Sequence, residues 1–173
     1  MLLTGENIYL RAIEPADADL LYQWENDETA WHLSNTITPF SRFVIDQYIM
    51  DSQLDFYTTK QIRLMIDSTA DKKTVGSIDL FDFDPHHQRA GLGIMIAKEF
   101  QNQQFASEAL KLIIEYSFDL LDLHQLYCNI LTDNEISLQL FKKQHFEIIG
   151  NKRQWIKINE QWKDEYLLQL IRK

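Results

Sequence analysis

The 173-residue chain has little of several things. It contains one cysteine, Cys128. A single thiol cannot close an internal disulfide, so a disulfide-stapled secreted scaffold is excluded and a reducing cytoplasm is expected. No apolar run is long enough to span a bilayer, so no membrane partner is expected. The first residues lack the basic, then apolar, then small pattern of a signal peptide, in line with a cytoplasmic protein. Cations are short relative to anions, 17 Lys and Arg against 26 Asp and Glu, giving a net charge of −9. Sequence-independent nucleic-acid binding needs a basic surface, so the charge argues against it and is compatible with a cationic substrate. The adjacent pair His86-His87 has no spaced Cys, His or carboxylate set around it, so it reads as a turn and no metal is expected. No linker, internal repeat or low-complexity segment interrupts the chain, which reads as a single domain over 1–173.

What is present is a globular composition, 45% hydrophobic and 12% aromatic. It is organised around Ala90 to Leu121. Gly91-Leu92-Gly93-Ile94-Met95-Ile96-Ala97 is a short apolar run, as a buried strand should be. Its two glycines predict a bulge or a close approach of ligand or backbone. Lys98 to Gln104 is polar and loop-like, and from Phe105 the spacing of Ala106, Ala109, Leu110, Ile113, Ser117, Leu120 and Leu121 becomes helical. A strand feeding a helix through a short loop aims unpaired backbone N–H groups and the positive helix end at one spot, which can hold a pyrophosphate.

The pattern Ile94-x-Ile96-x-x-x-x-Gln101-x-x-Gln104-x-Ala106 resembles the acetyl-CoA motif of the GNAT superfamily of N-acetyltransferases. The following Phe105-Ala106-Ser107-Glu108-Ala109-Leu110 resembles the branch acting on ribosomal-protein N-termini and polyamines. Three departures stand out: Gln104 and His145 where the family has glycine, and Phe141 where it often has a proton-donating tyrosine. The resemblance implies an α/β fold with a mixed, mostly antiparallel and partly splayed sheet flanked by helices. It also implies acetyl-CoA as co-substrate and direct transfer of the acetyl group to a primary amine, either a polyamine-like molecule or a protein N-terminus. It assigns thioester and pantetheine contacts to the backbone of Leu92, Ile94 and Ile96. The diphosphate falls to Gln101, Asn102, Gln103, Gln104, Phe105, Ala106 and Ser107, and Asn134 supports the pantetheine arm. A homo-oligomer stays open, and so does a degenerate domain that binds acyl-CoA without useful turnover.

The rest of the chain reads in order. Glu6 to Ala12 is a strand, and Glu14-Pro15-Ala16-Asp17 opens a helix with proline and acids at its positive end. Ser41 caps a second helix over Arg42 to Met50, with Phe43, Val44, Tyr48 and Ile49 as its apolar face. Gln61 to Ile66 and Thr74 to Phe83 form a hairpin, and His124 to Leu131 is a strand in which Cys128 is a small core residue. Asn134 starts another helix as its cap, and three closing strands span Phe146 to Ile149, Arg153 to Ile158 and Glu165 to Ile171.

An amine attacks a thioester only as the free base, yet an alkylammonium has a pKa of about 10.4, so the site must take up a proton. Asp79 and Asp82, on the strand before the central one, are the candidate bases. Glu25 and Glu28, with Trp24 and Trp31 nearby, form a candidate acceptor wall in which carboxylates attract the amine. Each acid also reads as an ordinary solvated carboxylate, and each tryptophan as core packing.

Overall fold

The computed structural model describes residues 2–34 and 36–173. One seven-stranded sheet runs in the order β1-β2-β3-β4-β5-β7-β6. Its strands are β1 (Ile8–Ala12), β2 (Ile62–Ser68), β3 (Thr74–Asp84), β4 (Arg89–Ile96), β5 (Gln125–Leu131), β6 (Glu147–Ile158) and β7 (Gln161–Ile171). Every pairing is antiparallel except β4 with β5. The helices are α1 (Ala18–Glu25), α2 (Trp31–Ser34), α3 (Arg42–Asp51), α4 (Phe56–Thr59), α5 (Phe105–Asp119) and α6 (Glu135–Lys143). This is the expected mixed sheet flanked by helices. No helix among the described residues is long and apolar enough to cross a membrane.

Strand alternation sends apolar side chains to two layers. On one face Ile78, Leu80 and Leu92 meet Leu110 and Ile113 of α5, all at most 2% exposed. Burying each such side chain stabilises the fold by about 1.5–3 kcal/mol. On the other face Met65 packs under Leu21 of α1 and Ile45 and Ile49 of α3. The β4–α5 unit therefore has a separate helix layer on each side of the sheet.

Several boundaries and faces differ from the sequence reading. The helix after Pro15 begins as a 3-10 turn, and α5 ends at Asp119, leaving Leu120 exposed. Ser41 does cap α3, accepting from the Val44 amide at 3.2 Å. Phe43 and Val44 nevertheless face outward, and Ile45 and Ile49 supply the buried side. The segments expected at Phe146 to Ile149 and Arg153 to Ile158 are one strand, β6, which stays continuous through two register shifts. The bulge predicted at Gly91 and Gly93 is not in β4, whose pairing with β3 is regular from Gly91 to Ile96. The irregularity lies opposite, between Phe81 and Asp84, where Asp82 adopts φ 49°. The glycines serve close approach instead. The Phe81 ring lies across β4, and any Cβ on Gly91 would fall within it, while one on Gly93 would touch it at 3.7 Å.

Overpacking of this kind costs about 1–3 kcal/mol. Gly91→Ala should therefore lower the unfolding free energy by that amount in urea denaturation, and Gly93→Ala by much less. Equal, negligible effects would show that the ring can move aside.

Candidate active site

Backbone alternation decides what β4 offers its neighbours. The Ala97 amide donates to the Val75 carbonyl at 2.9 Å, so the odd-numbered residues of β4 bond to β3. Leu92, Ile94 and Ile96 consequently turn their N–H and C=O groups the other way, toward β5. The parallel pairing with β5 has only three rungs and ends at Gly91–Tyr127. Leu92 flanks that last rung, and Ile94 and Ile96 lie beyond it, on an open edge between two diverging strands. The Gln101 amide side chain covers the Ile96 carbonyl at 3.2 Å.

The loop beyond β4 makes a 3-10 turn at Lys98–Phe100 and enters α5 through two left-handed residues, Asn102 at φ 63° and Gln104 at φ 64°. The Gln101 amide returns to the Lys98 carbonyl at 3.5 Å. At the other end the Ser107 and Glu108 amides bond the Gln104 carbonyl at 3.1 and 3.2 Å. Between them, the five amides of Asn102 to Ala106 donate to no protein group among the described residues. Unpaired donors at the positive end of a 15-residue helix suit a diphosphate, so this chain fits acetyl-CoA without needing a cationic side chain. Ser107 belongs to the helix instead: its amide is used, and its hydroxyl accepts from Gln144 at 3.3 Å. Asn134 is the cap of α6, its side-chain oxygen accepting the Ser137 amide at 3.2 Å.

Beneath α1 and α3 the sheet carries a charged triad. Arg63 of β2 donates to both oxygens of Asp79, Nε to Oδ1 at 2.6 Å and Nη2 to Oδ2 at 3.1 Å. Its Nη1 donates to Glu25 at the end of α1. Burial works against the charge on Arg63, but the Asp79 carboxylate more than offsets it and holds the guanidinium above the ordinary arginine pKa. Tyr48 stacks on that guanidinium at 5.4 Å, and burial raises its phenol pKa. These groups line a cavity of about 280 Å³ with Phe40, Val44 and Phe81. Two carboxylates share one guanidinium, so the cavity keeps an excess negative charge. Asp79 lies opposite Gly93, one residue before Ile94 on the open edge.

The other candidates fall elsewhere. Asp82 is exposed at the β3 bulge, where it accepts from the Tyr127 hydroxyl at 3.3 Å, so the two candidate bases do not share a site. Trp24 packs against the α1–α3 cluster. Trp31 donates its indole N–H to the Glu25 carbonyl at 2.8 Å, bracing that residue from behind. Glu28 is exposed and does not line the cavity. The segment between α1 and α2 is instead tied to the cofactor loop, for Lys98 donates to Asp27 at 3.0 Å and to Thr29 at 2.7 Å. Thr29 first, then Lys98, lower the Asp27 pKa to about 2. Phe141 is a core residue packed edge-on against Phe146, and burial pushes the Cys128 thiol up and leaves it inert.

Arg63 and Phe81 escaped the sequence reading, and Tyr48 was read only as part of the apolar face of its helix. Arg63 carried a partial signal. Its charge, lying within two apolar strands, suggested a partner, but closing the hairpin about its polar turn does not name Asp79: Arg63 comes opposite Asp79 only through the register shift between Ile66 and Asp67.

Comparison with known proteins agrees with the fold. The acetyltransferase (GNAT) domain family matches residues 7–147. The probable N-acetyltransferase YjcK of Bacillus subtilis is 27% identical, covering 98% of this chain and 97% of its own. Spermidine N(1)-acetyltransferase of Escherichia coli K12 is 24% identical, over 93% of this chain and 84% of its own. The crystal structure of spermidine N-acetyltransferase from Vibrio cholerae with CoA and spermine superposes with a TM-score of 0.88, at 21% identity and 96% coverage of both chains. A dodecameric structure of the spermidine enzyme from that organism superposes at 0.77, with 22% identity, covering 96% of this chain and 95% of its own. A strand pair that parts at a phosphate-ready loop, together with a family match over most of the sequence, makes the chain a member of the GNAT acetyltransferase family and an acetyl-CoA-dependent N-acetyltransferase.

Proposed function

We propose that the acceptor is a small cationic primary amine of the polyamine type, received in the Glu25–Arg63–Asp79 cavity. One observation carries this reading: a carboxylate pair with excess negative charge lies one residue from the open edge of β4, across a glycine. The spermidine enzymes among the relatives support the same acceptor class. The dodecameric relative supports a homo-oligomer. The single buried thiol suits a cytoplasmic enzyme.

The co-substrate supplies an activated acetyl thioester, and the chain supplies the rest. The five free amides of Asn102 to Ala106 bind the diphosphate. The outward amides of Ile94 and Ile96 orient and polarise the carbonyl. Glu25 draws in the ammonium, and Tyr48, Phe40 and Phe81 hold its alkyl part and exclude water. Asp79 takes the proton, directly or through one water, so that the free amine faces the cleft. Arg63 keeps both carboxylates aimed into the cavity. Phe141 has no proton to give, so the departing thiolate is protonated by water or another group.

A panel of aliphatic amines with acetyl-CoA, read by release of free thiol, tests the acceptor class. Diamines and polyamines should turn over. Turnover confined to peptide N-termini would overturn the reading. Asp79→Asn should lower kcat by roughly 100-fold or more and leave the Kd for acetyl-CoA unchanged in calorimetry. Glu25→Gln should raise the acceptor KM, with an effect that shrinks as salt increases. If both variants match the parent, the triad is structural only.

Gln104 provides a separate test of the cofactor loop. A non-glycine residue in the left-handed region carries about 1–2 kcal/mol of strain, while glycine gives back roughly 0.5–1 kcal/mol in chain entropy. Gln104→Gly should therefore be slightly stabilising and bind acetyl-CoA equally well or modestly tighter. Markedly weaker binding would show that the glutamine side chain itself holds the co-substrate.

A further inference from the structure

One charged residue of the run Phe105 to Leu110 belongs to neither substrate site. Glu108 is the acid in the first turn of α5, and its carboxylate is turned onto the chain segment before β1. Oε1 accepts the Asn7 backbone amide at 3.0 Å, and Oε2 accepts the Asn7 side-chain amide at 3.1 Å. Gly5 makes the seat, for a Cβ there would fall on the same carboxylate. The segment that receives Glu108 is itself fixed. The Gly5 amide donates to the Ile8 carbonyl at 2.9 Å, the Leu10 amide to the Leu3 carbonyl at 2.8 Å, and the Thr69 amide to the Asn7 carbonyl at 2.9 Å. A two-point, charge-assisted clamp thus joins the start of β1 to the start of α5.

The same turn is held again from the end of α6, where Gln144 Nε2 donates to the Ser107 carbonyl at 3.4 Å and to its hydroxyl at 3.3 Å. This turn needs holding. Helix ends fray, and this one follows Asn102 and Gln104, two non-glycine residues with left-handed backbones. Strained conformations of this kind persist only where surrounding contacts over-determine them. If the first turn loosened, Gln104 could relax to an ordinary conformation. The loop that carries the five unpaired amides would move with it.

We propose that the Glu108–Asn7 clamp, seated on Gly5, positions the diphosphate loop and sets the affinity for acetyl-CoA. Glu108, Asn7 and Gly5 are positioning residues, and none of them is among the groups assigned to the co-substrate or the acceptor. They act through the placement of α5. The proposal rests on the reading that the amides of Asn102 to Ala106 bind the diphosphate.

Calorimetry with CoA on the full chain tests this. Asn7→Asp sets one carboxylate against another, and Gly5→Ala pushes the Glu108 carboxylate off its seat. Each should raise the Kd for CoA about tenfold, because the ligand must then order the loop it binds. At saturating acetyl-CoA, kcat and the acceptor KM should stay those of the parent. Glu108→Gln alone should be mild, since the Asn7 side-chain amide can turn over to meet it. Asn7→Asp combined with Glu108→Gln should restore the parent Kd. In that pair the glutamine oxygen accepts the backbone amide of residue 7, and its NH2 group donates to the new carboxylate. A purely structural clamp would lower the thermal midpoint in Asn7→Asp and Gly5→Ala and leave the Kd for CoA unchanged, and that result overturns the proposal. So does a double variant that binds CoA no better than Asn7→Asp alone. Amides of Asn102 to Ala106 that fail to respond to CoA in the parent, followed by nuclear magnetic resonance, would instead overturn the loop reading on which the proposal rests.

Discussion

The site depends on the parting of β4 from β5. A parallel pair that ends after three rungs leaves the groups of Ile94 and Ile96 without a strand partner. In a closed sheet those groups would bond to β5 and be unavailable. Leaving buried N–H and C=O groups unpaired is costly, so an open edge inside a folded domain calls for a ligand or water. The α5 layer covers one face of the sheet and the α1–α3 layer the other. Phe81 secures its base by lying over Gly91 and reaching the Tyr127 ring edge-on at 6.1 Å.

On the proposed reading the two substrates are handled by different physics. The proposed co-substrate side offers backbone dipoles: five amides, a helix terminus and a strand edge. The proposed acceptor side offers charge, with Arg63 fixing two carboxylates that remain in excess over it. A second arginine, Arg11, does similar structural work farther away, clamping Asp17 at 2.7 Å and Asp67 at 2.6 Å where α1 leaves the sheet. The Lys98 tie to Asp27 and Thr29 joins the two sides, so the segment that follows Glu25 is fastened to the loop that opens α5.

Much of this was legible in the sequence, for identifiable reasons. The strand-loop-helix core was readable because its periodicity changes sharply at Phe105. The caps at Ser41 and Asn134 were readable because a single side-chain oxygen performs that function. Glycine was misleading. Among the described residues, eleven non-glycine residues have positive φ and no glycine does, so here left-handed turns are made by Asn, Asp, Gln, His, Lys and Glu. Gln104 and His145 therefore keep the left-handed geometry of the glycines the family usually has there, and His145 still closes α6, with the Phe146 amide returning to the Phe141 carbonyl at 3.2 Å. The glycines at 91 and 93 make room for a ring instead of forming a bulge. The triad was illegible because it joins α1, β2 and β3, and only the hairpin register reveals that Arg63 faces Asp79.

Backbone amides can be followed one by one by nuclear magnetic resonance as CoA is added to the labelled protein. The account predicts that the largest shifts, and the strongest protection from solvent exchange, fall on Ile94, Ile96 and Asn102 to Ala106, while the amides of Gln101 and Ser107, already bonded, respond less. Large shifts confined to other surfaces, with those seven amides unmoved, would contradict it.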